Sequence, residues 1–270
     1  MLVSHESPLC LLEQSRHYND YEYCLVHLLE QSEPYKQFFF DSVKMGRHVL
    51  LDNSIFELGT AFDTEKFAKW VVELNPTEYI VPDVLENCDA TIENFENWNK
   101  TYKSLPGKKI GVVQGKSFSE LVKCYKYMST HADKIAISFD YSYYSTTGFV
   151  DEMHDNKWYR YMAGRQQFLT SLVARQYWCY KPHHLLGAAL PGEFGYYNNL
   201  KNVFDNIETI DTSNPIIAGM FNVRYTKRGL DEKITTKLAD SLNMKLDKKQ
   251  LLDIEYNIQQ FKILNNIKST

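Results

Sequence analysis

Cysteine is scarce and scattered in this chain. Cys10, Cys24, Cys88, Cys124 and Cys179 form no CxxC pair and no Cys/His cluster at zinc spacing, so no metal site is expected, and an odd, dispersed set fits a reducing cytoplasm. Long hydrophobic runs are missing too. No stretch approaches the roughly eighteen apolar residues of a membrane helix, and Leu2-Val3-Ser4-His5-Glu6 has no basic segment leading into an apolar one; neither a span nor a secretory leader is expected. Positive charge is not in excess. With 30 Lys and Arg against 34 Asp and Glu, the formal net charge is -4, which supplies no global field for a polyanion, so any nucleic-acid contact would need a local basic patch. Nothing in the composition suggests a disordered tail, and no internal repeat is seen beyond an alternation of strand and helix patterns.

What is present is a recurring unit. Val49-Leu50-Leu51 breaks abruptly into Asp52-Asn53-Ser54, the pattern of a buried parallel strand that delivers a carboxylate to the rim of a sheet. Tyr79-Ile80-Val81-Pro82-Asp83 and Lys109 to Gly115, which ends Val113-Gln114-Gly115, repeat it at intervals of about thirty residues. His184-Leu185-Leu186-Gly187 and Ile207 to Ser213 repeat it again. Polar groups at the C-terminal ends of successive parallel strands are how a (β/α)8 TIM barrel assembles a site, and the 270 residues suit one such barrel of about 250. The 44% hydrophobic and 24% charged content is that of a globular protein with a full core.

Taken in order, the patterns predict a short strand at Leu2-Val3 and a helix near Pro8 to Arg16, then strands at Tyr23–Leu29 and His48–Leu51 with a helix over Pro34–Lys44 between them. A helix from Asp63 to Leu74 presents Phe67, Trp70, Val71 and Leu74 on one face. Strands at Tyr79–Asp83, Lys109–Gln114 and Lys134–Phe139 alternate with helices over Asp89–Lys103 and Ser117–Ser129. Residues 140–182 are too long for one loop and helix. They read as an insertion after the fifth barrel strand, with a Tyr/Ser/Thr-rich loop from Tyr141 to Phe149 and a long helix from Trp158 to Tyr180 carrying Arg160, Arg165 and Arg175. Strands at Leu185–Ala189 and Ile207–Ile210 flank a helix over Tyr196–Asn206, Ile216–Phe221 is the expected eighth strand, and 230–270 reads as closing helices. The whole chain, 1–270, is expected to be one domain.

With these strand ends in view, the chain resembles the tRNA-guanine transglycosylase family, and more closely its smaller phage and bacterial relatives that insert 7-deazaguanines into DNA. The similarity is ordered: Asp52 with Phe56, Asp83, Val113-Gln114-Gly115, Ala136-Ile137, Leu186-Gly187 and Asp211, over roughly residues 48 to 215. The resemblance implies a zinc-free transglycosylase that needs no cofactor and exchanges guanine for a 7-deazaguanine through a glycosyl-aspartate. Asp211 would be the nucleophile and Asp52 the second acid or base. Asp83 and Gln114 would read the base edge, Phe56 and Leu186 would sandwich it, and Gly115, Ser138, Phe139 and Gly187 would complete the pocket. Its partners would be DNA, or tRNA, and the free base, in a cytoplasm that is the host's if the gene is a phage's; no membrane is implied and a homodimer is allowed.

Three departures shape the expectation. The family's Cys-rich zinc motif after the nucleophile is absent, since no cysteine follows Cys179. The consecutive glycines after the fifth strand are replaced by Ser138-Phe139. The basic residues beyond the nucleophile, Arg224, Lys227 and Arg228, lie farther along, where they would hold phosphate. Blander readings stand beside these. A strand-end aspartate alone is more often a cap or turn former than a catalyst, and Asp211-Thr-Ser-Asn-Pro has the form of a helix cap. Phe56 and Leu186 are also core residue types, His183-His184 reads as a structural pair, and Lys245 to Lys249 as a solvated face. A tRNA-directed enzyme, a non-catalytic barrel subunit that binds base or nucleic acid, and an unrelated barrel enzyme acting on a small phosphorylated substrate are the alternatives.

Overall fold

The computed structural model describes residues 1–147, 156–234 and 236–268. Its eight strands are β1 (Leu2–Ser4), β2 (Glu22–Leu25), β3 (Val49–Asp52), β4 (Glu78–Ile80), β5 (Lys108–Val112), β6 (Lys134–Ser138), β7 (His183–Leu186) and β8 (Ile207–Asp211). All pair in parallel, in the order β1-β8-β7-β6-β5-β4-β3-β2, so that each strand from β2 onward lies beside the next and β1 returns to the flank of β8. Helices connect the strands, and the result is a nearly closed (β/α)8 barrel. Val49, Leu50, Leu51, Ile135, Ala136 and Ile137 are all fully buried, because a parallel sheet wrapped by helices and packed on itself buries both faces.

The principal helices are α1 (Glu33–Lys44), α2 (Thr64–Leu74), α3 (Cys88–Thr101), α4 (Phe118–His131), α5 (Lys157–Ala174), α6 (Phe194–Asn199), α7 (Asn214–Met220) and α8 (Lys248–Leu264). Their starts are set by side-chain caps. Ser32, Asp63, Asn87 and Ser117 accept from the backbone N–H three residues on, and Asp247 forms a reciprocal capping box with Gln250. Helix α2 buries Phe67, Val71 and Leu74 with Trp70 half-buried, the face its spacing predicts.

The eighth strand is not where the sequence pattern put it. Ile216–Phe221 belongs to helix α7 and the turn after it, and the strand that closes the barrel is β1. Pro215 sits in the first turn of α7 and all seven of its residues are buried, so a short apolar run carried no periodicity to tell helix from strand. Gly219 lets α8 approach closely: a Cβ there would lie 2.6 Å from the backbone nitrogen of Ile254. For a similar reason Tyr23–Leu29 is strand only to Leu25, after which Val26–Gln31 is a helix whose first four residues are buried. Strand β7 ends at Leu186 because Gly187 takes φ +60°. Helix α5 ends at Ala174, before Gln176 at φ +59°, and Tyr196–Asn206 is two short helices broken at Leu200. In the 140–182 insertion, Ser142–Thr146 is a single 3₁₀ turn, whereas Gly148 and Phe149 lie outside the described residues. Within 230–270, Leu238–Ser241 precedes α8.

Between β1 and β2 no strand ladder forms, and the seam is closed largely by side chains. Asp20 N–H donates to the Val3 carbonyl (2.9 Å), Val3 N–H to the Asp20 carboxylate (2.8 Å), and Tyr23 N–H to Ser4 Oγ (3.1 Å). Asn19 completes the seam by accepting from His5 N–H (2.7 Å) and donating to the His5 carbonyl (3.2 Å). At the N-terminal end of the barrel the charges are paired: Lys134 contacts Glu78 at 2.9 Å and Glu208 at 3.6 Å, and Arg47 contacts Glu22 at 2.6 Å. Burial alone would raise the Glu78 carboxyl, but the His48 hydrogen bond and the Lys134 ammonium bring it down to about 2.

Asn19→Ala leaves the buried His5 N–H without an acceptor, which costs about 1–3 kcal/mol. The expected result is a lower urea midpoint at unchanged m-value; an unchanged midpoint would mean that the seam carries none of the barrel's stability.

Candidate active site

The C-terminal ends of the strands surround a cavity of about 260 Å³, on the face where barrel enzymes place their chemistry. Asp52 is the last residue of β3 and Asp211 the last of β8; Asp83 follows β4, Gln114 follows β5, Ser138 ends β6 and Leu186 ends β7. All six line the cavity together with Phe56, Phe139 and Gly187. The residues that the sequence scattered over 160 positions are therefore brought to one place. Gly115 is not. It is buried outside the cavity, where a Cβ would lie 2.7 Å from the Glu120 Cβ, so its missing side chain serves the approach of α4. The expected basic trio lies outside the cavity as well. Arg224 contacts Asp253 at 3.5 Å and stacks 4.0 Å over Tyr256 on α8, while Lys227 and Arg228 are exposed at the tip of the Thr226–Gly229 turn.

Asp211 is held by two N–H donors on one oxygen, His184 Nε2 at 3.0 Å and the Gly187 backbone at 3.1 Å. Burial lowers the pKa of His184 more than Asp211 raises it, so the ring is neutral. Its Nε2 carries the proton that it donates, and its Nδ1 accepts from the Thr209 hydroxyl at 2.9 Å. Strand alternation sends His183 the other way, to stack on Trp178 at 4.0 Å and bond Tyr125 at 3.0 Å. The adjacent histidines thus divide: His183 is structural and His184 orients an aspartate.

The opposite carboxylate is held in parallel fashion. The Tyr23 hydroxyl donates to one oxygen of Asp52 and the Ser54 N–H to the other. Ser54 has φ +61°, a strained conformation for a residue with a Cβ, and it is this turn that aims its N–H back at Asp52. The Tyr23 ring lies over His184, centroids 5.9 Å apart and 16° from parallel, so two stacked rings each hold one aspartate from inside the barrel. Burial pushes the Asp52 carboxyl up to about 7; the Tyr23 and Ser54 hydrogen bonds oppose this, and the charges of Asp211 and Asp83 add to it.

On the far side of the cavity the polar groups bond one another. Asp83 accepts from Asn53 Nδ2 (2.8 Å) and Gln114 Nε2 (2.6 Å), while Gln114 Oε1 accepts from Glu86 N–H (2.8 Å). Gln114 therefore turns its amide nitrogen to Asp83 and its amide oxygen to the Glu86 N–H. Burial raises Asp83, and its two amide donors restrain the rise. Phe56, half exposed, stands 6.0 Å from Phe139. Phe139 lies so close to Gly187 that a Cβ there would be 2.7 Å from the ring, the reason a glycine is needed at that point. The Ser138 hydroxyl is engaged with Asp140 at 2.6 Å.

Two walls of the site are tied together by Arg165 on α5, which is fully buried. Its guanidinium pairs with Glu193 at 2.6 Å and donates to the carbonyls of Ile137 (3.1 Å), Leu186 (2.9 Å) and Gly187 (2.8 Å). One side chain thus sets the ends of both β6 and β7. Sequence reasoning placed Arg165 on a helix among aromatics and did not see this role. It also missed Tyr23, Glu6 and Lys233. Glu6 follows Leu2-Val3-Ser4, a strand end like the others, with too few apolar residues before it to stand out. Lys233 lines the cavity, donates to the Ala188 carbonyl at 2.9 Å and lies 3.8 Å over Phe139; burial lowers its ammonium to about 8 against the pull of Asp140, Glu6 and Asp211. No local signal marks it.

Among the described residues no three His, Cys, Asp or Glu side chains are grouped to hold a metal ion, and no helix is long and apolar enough to cross a membrane. Compared with models of protein families and with curated proteins, the chain matches none.

Arg165→Met leaves Glu193 buried without its partner, and a loss of about 3–5 kcal/mol is expected in urea denaturation, partly recovered when Glu193→Leu is added. Asp52 makes a separate prediction about pH. Its folded pKa of about 7 lies above the ordinary aspartate value of 3.8, so the folded form binds the extra proton and its contribution to stability falls as pH rises between those values. The stability of Asp52→Asn relative to the parent should accordingly increase by roughly 2–3 kcal/mol from pH 5 to pH 8. A difference that stays flat over that range would refute the raised pKa.

Proposed function

We propose that this protein is a base-exchange transglycosylase that replaces guanine in DNA with a 7-deazaguanine through a covalent glycosyl-aspartate on Asp211. The observation that carries the reading is a single cavity in which Asp211 and Asp52, each fixed by its own donors, face a slot walled by Phe56, Phe139 and Leu186 and edged by Asp83 and Gln114. This is the set that the family resemblance names, converged in space.

The chemistry follows from the fixed groups. A nucleotide turned out of the helix brings its base into the slot, where Asp83 accepts from the ring and exocyclic N–H donors and Gln114 donates to the carbonyl oxygen. Asp211, kept as an acceptor by His184 Nε2–H and Gly187 N–H, attacks C1′ as the bond to the base breaks and its electron pair leaves with the base, which takes a proton. The entering 7-deazaguanine reverses the step: its nitrogen, losing a proton, bonds C1′ and releases Asp211. Asp52, balanced near neutrality, is suited to proton traffic in both directions. Lys227 and Arg228 remain open to backbone phosphate, whereas Arg224 is occupied by Asp253 and Tyr256.

Mass spectrometry of nucleosides from DNA incubated with the protein and candidate bases tests the reading directly. The parent should insert a 7-deazaguanine and accumulate a sugar adduct on the peptide containing Asp211. Asp211→Ala should lose at least 10³-fold in exchange and form no adduct. Exchange at the parental rate in Asp211→Ala would exclude the mechanism, and base binding without any exchange by the parent would identify a non-catalytic barrel.

A further inference from the structure

The reaction moves a proton onto one base and takes it off another, and the cavity holds a carboxyl that the resemblance does not name. Glu6 lines it two residues beyond β1, whose last residue, Ser4, is in register with Asp211. Around the barrel β1 stands beside β8 and directly across from β5, the strand that leads to Gln114. A base read at its far edge by Asp83 and Gln114 therefore has its glycosidic end toward Glu6, Asp211 and Asp52.

The three carboxyls are not equivalent. Asp211 accepts two fixed N–H donors on one oxygen. Both oxygens of Asp52 are taken, by Tyr23 and Ser54. Glu6 and Glu57 both line the cavity without a side-chain hydrogen bond or ion pair among the described residues, but Glu6 follows β1, which pairs with β8 and places it beside Asp211, whereas Glu57 follows β3. We propose that Glu6 hands the proton to the departing base and recovers it from the entering one, with Asp52 as the anchored member of a carboxyl pair. This rests on the transglycosylase reading and assigns both proton transfers to Glu6, with Asp52 held beside it.

The step balances without a co-reactant. As the Asp211 oxygen bonds C1′, the electron pair of the C1′–N bond goes to the base, the Glu6 proton goes to the base, and Glu6 becomes a carboxylate. In the return step the entering base gives its N–H proton to Glu6 as its nitrogen bonds C1′ and the C1′–Asp211 bond breaks. The charged and titratable groups facing Glu6 agree with this assignment. Burial raises its carboxyl well above the ordinary range, Asp211 on β8, Glu57 after β3 and Asp52 on β3 raise it further, and Lys233 opposes them; the Tyr23 phenol on β2 is itself raised by burial and stays neutral. Glu6 therefore keeps its proton to higher pH than an ordinary glutamate, and its ability to act as an acid is lost as pH rises through its pKa.

The test uses Glu6→Gln in the full chain with two DNA substrates, one carrying guanine and one carrying N7-methylguanine, which departs as a neutral base and needs no proton. Glu6→Gln should lose about 10²–10³-fold in guanine exchange, yet form the Asp211 adduct from N7-methylguanine within a few-fold of the parent. The alkaline fall in the parent's guanine rate should be missing from the variant, a second readout that a structural role would not move. Equal losses on both substrates, guanine exchange at the parental rate, or an unchanged alkaline fall would overturn the assignment to Glu6 while leaving parental exchange, and with it the proposed function, intact. A parent that exchanges no base overturns both.

Discussion

The site depends on keeping several carboxyls in one partly closed cavity with little cationic help. Glu6, Asp52, Glu57, Asp83, Asp140 and Asp211 share the space with only Lys157 and Lys233. Removing ionised carboxylates from water is costly unless each is paired or hydrogen-bonded. The protein answers with neutral donors: the Tyr23 phenol, the His184 imidazole, the Asn53 and Gln114 amides, and the backbone N–H groups of Ser54 and Gly187. Neutral donors hold a carboxylate in place without quenching its charge, so the group keeps its basicity or nucleophilicity. The opposite end of the barrel does the reverse. There Glu78 meets Lys134 and Glu22 meets Arg47 in ion pairs that consume the charges.

That arrangement tolerates little movement, and two features limit it. Arg165 spends its guanidinium on Glu193 and three carbonyls at the ends of β6 and β7, so the walls bearing Phe139 and Gly187 shift together or not at all. Gly187 is a shared point in this network: its N–H holds Asp211, its carbonyl is held by Arg165, and its missing side chain admits Phe139. The seam between β1 and β2 is the second. It positions Glu6 beside Asp211 and Tyr23 beneath Asp52 with side-chain hydrogen bonds from Asn19, Asp20 and Ser4 in place of a strand ladder.

How much was legible in the chain depends on whether the signal was local. Asp52, Asp83, Gln114, Leu186 and Asp211 could be seen because each ends an apolar run, and a strand end in a parallel barrel has one direction in which to point. Asn53 and Ser54 follow the same logic, since an Asx turn is a local event. Ile216–Phe221 was misplaced because a short apolar run, buried from Ile216 to Met220, looks alike as helix or strand. Gly115 was credited to the pocket when its role is to admit α4, since a glycine records only that a side chain is intolerable and not what excludes it. Arg224 was expected at phosphate and is drawn instead to Asp253 and Tyr256, both on a helix some thirty residues away.

Barrel class, the rim aspartates and most of the helix boundaries were determined by the sequence alone, because hydrophobic period, caps and glycine punctuation act between residues close along the chain. Only tertiary structure decided that β1 and not Ile216–Phe221 closes the barrel, that Glu6 and Lys233 enter the cavity, that Tyr23 and His184 are a stacked pair serving opposite aspartates, and that Arg165 ties two loops together. The physical reason is one of distance. These contacts join residues 21 to more than 200 positions apart, and their energies come from burial and from donor geometry that exist only once the sheet has curled round to bring its first strand against its last.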